Sequence, residues 1–106
     1  MPDSFLLVLT TLSNQAQAEK LSRQILKERL AACINSVKGL ESLFWWKGRI
    51  DRAKETLLLI KTRTSRFNRL RIFIEKHHPY SVPEIIAVPI RKGNASYLKW
   101  LVASVR

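Results

Sequence analysis

Apolar positions change their period several times along this chain, and each change marks an element. The run Phe5 to Thr11, FLLVLTT, is apolar almost without a break, which predicts a first strand lying centrally in its sheet. Ser13 or Asn14 can cap a helix after it, with Gln17 placed to reach back to Asn14. Ala18, Leu21, Ile25 and Leu26 then share one helical face, Glu19 and Arg23 pair on the outside, and the pattern ends near Arg29. A second strand is predicted from Ala32 to Trp46, with Gly39 a bulge or kink inside it. Lys47, Gly48 and Arg49 make the turn, and a third strand returns from Ile50 to Thr62.

In the second half, Ser65 is placed to cap a helix in which Phe67, Leu70, Phe73, Ile74 and His77 repeat at helical spacing, with Arg66, Arg69 and Arg71 on the opposite face. The stretch His77 to Pro89, HHPYSVPEIIAVP, ends that helix near His77, because the residue before each proline is pushed to extended backbone. Glu84 to Val88 reads as a short strand buried on both faces, which Pro89 either closes or marks as lying beside a sheet edge. Gly93 and Asn94 start a last helix with Tyr97, Leu98, Leu101, Val102 and Val105 as its apolar stripe.

The order β-α-β-β-α-β plus a C-terminal helix predicts an α+β fold. It is the ferredoxin-like sandwich of one antiparallel sheet with two helices on one face, carrying a long hairpin between its second and third strands. The third strand, with Leu57 and Leu59 alternating with Leu58 and Ile60, needs cover on both faces. Phe44, Trp45 and Trp46 follow one another near the hairpin tip, so alternation puts aromatic surface on both sides at once. The last helix can supply some of the third strand's cover, and neighbouring copies of the chain are the expected source of the rest and of the cover for the aromatics.

Composition narrows the setting. At 106 residues and 46% hydrophobic content, the chain suits one domain, 1–106, with one core. A formal charge of +11 and a pI near 10.6 favour acidic partners or a plain solvated surface, and the basic residues are scattered from Lys20 to Arg106 without a block. One cysteine, Cys33, excludes an internal disulfide and fits a reducing compartment. The N-terminal residues carry Asp3 where a signal peptide would be basic, and their apolar run is too short to span a bilayer. A cytoplasmic protein with no membrane partner is expected.

ERLAACIN from Glu28, FWWKGRI from Phe44, ETLLLIKT from Glu55, HPYSVPEI from His78 and YLKW from Tyr97 together resemble the CutA divalent-cation-tolerance family, over nearly the whole chain. The resemblance implies a ferredoxin-like homotrimer joined through long hairpins, similar in architecture to the PII signalling proteins and linked to copper tolerance and copper binding. It carries over to Glu28, Arg29, Cys33, Trp46, Gly48, Glu55, Lys61, His78, Pro79, Tyr80, Glu84 and Trp100. By the resemblance these line clefts between subunits or shape the trimer, with Phe44, Trp45, Trp46 and Trp100 at the interface. Phe44 stands where tyrosine is common in that family, Ser81 where an acidic or amide residue is frequent, and Thr10 where some members carry a cysteine associated with copper.

Copper(I) favours thiolate with imidazole, so Cys33 with His77 or His78 is the chemically credible metal set, and Glu84 is the carboxylate to set beside it. A buried apolar thiol equally explains Cys33, and His77 can serve as a helix cap. For a small anionic metabolite, Arg29, Lys61 and Arg63 stand at strand ends or helix exits, and Glu55 and Tyr80 join Arg29 and Lys61 as cleft residues by the resemblance. Specific RNA binding is not expected, because the third strand, ETLLLIKT, lacks stacking aromatics. Enzyme chemistry is not expected either, since no nucleophile is placed with its base. The sequence therefore points to a trimeric metal-ion (copper) binding and response protein with ligand clefts between its subunits. A PII-like module for an anionic metabolite and a trimer that scaffolds another protein are the alternatives.

Overall fold

A computed structural model describes residues 4–106, so the N-terminal Asp3 lies outside the described residues. Their elements are β1 (Phe5–Leu12), α1 (Gln15–Lys27), β2 (Cys33–Trp46), β3 (Arg49–Arg63), a 3-10 turn η1 (Thr64–Arg66), α2 (Phe67–His77), β4 (Ile86–Ile90) and α3 (Ala95–Ser104). The four strands form one antiparallel sheet in the order β2-β3-β1-β4, which puts apolar β1 in the interior as its composition requires. This is the expected β-α-β-β-α-β order with an added C-terminal helix.

The core lies between the sheet and the first two helices. Val8, Leu12, Leu58 and Ile60 from one sheet face meet Ala18, Leu21 and Ile25 of α1 and Leu70 and Ile74 of α2. Leu26, expected on the buried stripe, is instead 37% exposed. On the other sheet face α3 packs against β3 and buries its Leu101, with Val105 buried just beyond its end, leaving Leu57 and Leu59 half-covered. Thr10 sits at 0% exposure among the core residues of β1, and among the described residues its hydroxyl has no hydrogen-bond partner. Thr10→Val keeps the shape and removes the orphaned group, so it is expected to stabilise the fold by about 1 kcal/mol. The check is a urea midpoint that rises with an unchanged m value.

Several local expectations are corrected by backbone detail. Asn14 caps α1, its side chain accepting from the Gln17 amide at 2.8 Å, while the Gln17 side chain accepts from the Ser13 hydroxyl at 2.6 Å rather than reaching the Asn14 backbone. The helix stops at Lys27, two residues early. The Arg29 amide turns back to the Leu26 carbonyl at 3.0 Å and that of Leu30 to Ile25 at 3.3 Å, with Arg29 left-handed at φ 59°. Ser65 is not the cap of α2. It lies inside η1, and the residue at the cap position, Arg66, makes no side-chain capping bond. The strand expected at Glu84 to Val88 is Ile86–Ile90, and it is an edge strand rather than a doubly buried one. Ile86 is 52% and Val88 47% exposed, and Pro89 is accommodated inside the strand because one edge needs no ladder bonds.

The hairpin behaves as read, with a register shift between Val37 and Leu40 at Gly39. Its turn is tighter than expected. Trp46 pairs with Arg49, and only Lys47 (φ 51°) and Gly48 (φ 77°) form the loop, both left-handed as a two-residue hairpin turn demands. β1 pairs with β3 only from Thr56 to Arg63, so the part of the hairpin from Leu40 to Glu55 stands free of the sheet by about 20 Å at strand rise.

Candidate functional site: an acidic cleft beneath the hairpin

Where the free hairpin leaves the sheet, it overhangs the turn between α2 and β4 and encloses a cleft of about 850 Å³. The turn is held in place by His78. Its position before Pro79 makes the backbone extended (φ −77°, ψ 135°) and throws the ring back over the end of β1. There Nε2 lies 2.9 Å from the Thr11 carbonyl, and Nδ1 accepts the Tyr80 backbone N–H at 3.1 Å. A carbonyl can only accept, so His78 is the neutral Nε2–H tautomer with both nitrogens engaged. The Tyr80 ring meets the imidazole edge-on at 4.7 Å and sends its hydroxyl to Glu55 Oε2 at 2.8 Å.

Glu55 is the hub of this network, 9% exposed on β3. Burial pushes its pKa up, but side-chain hydrogen bonds from Ser42, Tyr80 and Thr11, helped by the His78 ring, outweigh that and hold the carboxyl below its ordinary range. Burial, then the hydrogen bond and charge of Glu55, push the Tyr80 hydroxyl up to about 12, so it stays a donor. His78 is lowered, chiefly by burial, against the opposing Thr11 carbonyl and Glu55 charge. Glu84 is raised by burial and by the Glu55 carboxylate sharing its cleft.

Charge in the cleft is all of one sign. Glu41, Asp51, Glu55 and Glu84 line it, four of the eight acidic residues in the chain, and among the described residues no lysine or arginine does. Phe44, Trp45, Trp46 and Tyr80 supply its aromatic walls. Of the residues expected at a site, Glu55, Tyr80, Glu84 and His78 therefore come together, with the hairpin aromatics beside them. Arg29 and Lys61 do not join them. Lys61 lies six residues along β3 from Glu55, about 20 Å at strand rise, with its Nζ 5.6 Å from the centre of the Tyr97 ring. Arg29 sits at the exit of α1, where its carbonyl takes the Arg106 amide. Within one chain, therefore, the cations expected between subunits lie at one end of the sheet and the carboxylate and phenol at the other.

The thiolate–imidazole pair is also separated within one chain. Cys33 pairs with Lys61 and Lys61 with Leu7, four rows from Thr11, where His78 docks. Four rows along and two strands across is about 16 Å, far beyond a shared ion. Among the described residues, no three His, Cys, Asp or Glu side chains are grouped to hold a metal. His77 turns to the last turn of its helix, Nδ1 lying 2.8 Å from the Phe73 carbonyl and its ring stacked on Phe73 at 4.1 Å. Sequence reasoning missed Thr11, Ser42, Glu41 and Asp51. The last two carried one legible signal, acids on a hairpin otherwise rich in lysine and arginine.

The protein-family model described as CutA1 divalent ion tolerance protein matches residues 6–104. Protein CutA 1, chloroplastic, from Oryza sativa subsp. japonica is 44% identical over 101 residues, which are 95% of this chain but 57% of the rice protein. This chain therefore spans little more than half of that relative's length. The divalent-cation tolerance protein CutA of Yersinia pestis (strain Pestoides F) is 40% identical over 100 residues, covering 94% of this chain and 84% of that one. The crystal structure of CutA1 from Oryza sativa superposes with a TM-score of 0.95 at 43% identity, covering 97% of this chain and 94% of the other. The CutA of Archaeoglobus fulgidus, described as periplasmic, superposes with a TM-score of 0.92 at 32% identity, covering 99% and 100% of the two chains.

Proposed function

This chain belongs to the CutA1 divalent ion tolerance family, and from that premise we propose that it is a metal-ion binding and response protein whose acidic cleft receives a divalent cation. The observation that carries this reading is the segregation of charge. In a chain of net charge +11, half of the carboxylates line one concavity that no basic side chain enters. Such a cleft is a local minimum of potential for a cation. Its donors are oxygens, which suit hard and borderline divalent ions. Copper would enter as copper(II), since the thiolate and imidazole that copper(I) prefers stand on strand positions about 16 Å apart within one chain. Glu55 and Glu84 are the carboxylates that would hold the ion, with water or a neighbouring subunit completing its shell. Binding, rather than catalysis, is the proposed role, because Tyr80 is held protonated and Cys33 lies outside the cleft.

The test is titration calorimetry with copper(II), zinc and manganese. Glu55→Gln and Glu84→Gln are each expected to weaken binding tenfold or more, about 1.4 kcal/mol. Affinity is also expected to climb as pH rises through the raised pKa of Glu84, because the ion must displace its proton. Unchanged affinity in both variants would remove the cleft from consideration.

The same proposal includes a homotrimer. Leu43, Trp45 and Ile50, each at least 66% exposed, crowd the hairpin tip. Trp100, 47% exposed beside Tyr97, lies near Lys61, about 40 Å from the tip at strand rise. Two apolar patches at opposite ends of a molecule 45 Å long support head-to-tail contacts, which close into rings. Both sheet edges, β2 and β4, are open to the same kind of pairing. Among the described residues no helix is long and apolar enough to cross a membrane. The cytoplasm is the proposed location, on the free Cys33 thiol.

A further inference from the structure

The acidic cleft leaves the rest of the positive charge unaccounted for, and the helices gather a large part of it. Lys20, Arg23 and Lys27 stand at helical spacing on the exposed side of α1, and Arg69 and Lys76 do the same on α2. Against these five cations the layer has three acids. Glu19 and Glu75 are taken by exposed pairs with Arg23 (3.3 Å) and Arg71 (2.8 Å), and Glu28 borders a groove of about 390 Å³ with Arg69, Lys76 and His77. Sequence order hides this face, because its two halves are separated by both strands of the hairpin.

Helix stability accounts for Lys27 and Lys76, in last turns where the dipole favours cations, but not for the others. The first turn of α2 contains no acidic residue and no side-chain cap, while Arg66 and Arg69 lie at the end of a helix whose dipole repels cations. No acidic residue stands in the first turn of α1 either. We propose that the outer face of α1 and α2 is a docking surface for duplex nucleic acid, bound through its phosphates without sequence readout. Each row of cations is about 10 Å long at helical rise, and packed helices lie about 8–10 Å apart. That spacing is comparable with the grooves of duplex DNA, about 6 and 12 Å wide, so each row can follow the phosphates of one strand. An anionic lipid surface would call for a continuous apolar band to insert. Here Ile72, 56% exposed, and Leu26, 37% exposed, are single aliphatic side chains set among cations. No residue of this face lines the cation cleft, so the proposal stands apart from it.

The experiment is fluorescence anisotropy of a labelled 20-base-pair DNA duplex with the full chain across a salt series. Binding is expected to weaken linearly in log salt, by about 0.9 per phosphate contact. Reversing Lys20, Lys27, Arg69 and Lys76 to glutamate together is expected to weaken it at least tenfold and flatten the salt slope by two or more. The control reverses Lys38, Arg91, Lys92 and Lys99, which are exposed and off this face, for the same change of net charge. Circular dichroism establishes that both variants are folded, and single reversals replace either quadruple that is not. An equal loss in the control would mean that bulk charge alone attracts the duplex and would overturn the assignment. So would binding to phosphatidylserine vesicles with none to the duplex.

Discussion

Trp46→Ala is expected to weaken self-association by about 2–4 kcal/mol per contact, roughly 30-fold to 1,000-fold in the dissociation constant. Trp46 pairs with Arg49 at the end of the hairpin and is 43% exposed, and Trp45, on the opposite face, is 73% exposed. Rings of that size, placed about 20 Å beyond the last pairing of β1 with β3, gain little cover from the lone chain. On the proposed assembly their burial comes from another copy. Arginine and lysine flank them at Lys47, Arg49 and Arg52, which leaves an apolar centre with a charged rim, the usual make-up of an interface. Sedimentation equilibrium or native mass spectrometry reads the result directly. Trimers should give way to monomers at micromolar concentration in the variant. Monomeric wild-type protein, or a variant trimer of undiminished stability, would undo the assembly reading.

How much of this could be read beforehand depended on the range of the interactions involved. The strands and helices followed from short-range rules. Apolar β1 went to the interior, Gly39 made the bulge, and the proline after His78 ended α2 where the backbone had to become extended. The misplaced boundaries have local reasons too. The end of α1 was set two residues late because its left-handed terminal residue is Arg29, with no glycine to mark it. The strand after Pro83 looked doubly buried because Ile85, Ile86 and Val88 are apolar in a row, yet only Ile85 and Ala87 turn toward the core. The site was harder. Tyr80 meets Glu55 across 25 residues and His78 meets Thr11 across 67, and no periodicity announces such meetings. The same limitation hid the charge distribution. Acids from the hairpin and from the turn after α2 converge, and the scattered lysines and arginines of two helices line up, only when the sheet is assembled.

His78→Ala is expected to cost about 2–4 kcal/mol of folding stability. It strands two backbone groups, the Thr11 carbonyl and the Tyr80 amide, each about 1–3 kcal/mol to leave unpaired when buried. His78→Gln, which can still donate to Thr11, should recover part of the loss. The pH dependence gives a second signature. Burial lowers the His78 pKa from 6.5, so its contribution is present above about 6.5, where the unfolded ring is also neutral, and is lost as pH falls through the lower folded value. Glu55 adds a loss of the same sign further down, below its ordinary 4.5. Glu84, raised by burial, works the other way: its contribution is lost as pH rises through its folded pKa. Urea denaturation between pH 4 and 8 should therefore show a stability limb below about 6.5 in the wild type that is missing from His78→Ala. Divalent-cation affinity of folded His78→Gln should stay within about threefold of the wild type, because neither ring nitrogen has a free lone pair to offer. A variant of unchanged stability that no longer binds the ion would make His78 a ligand after all, and the ring would then have to leave Thr11 to reach it.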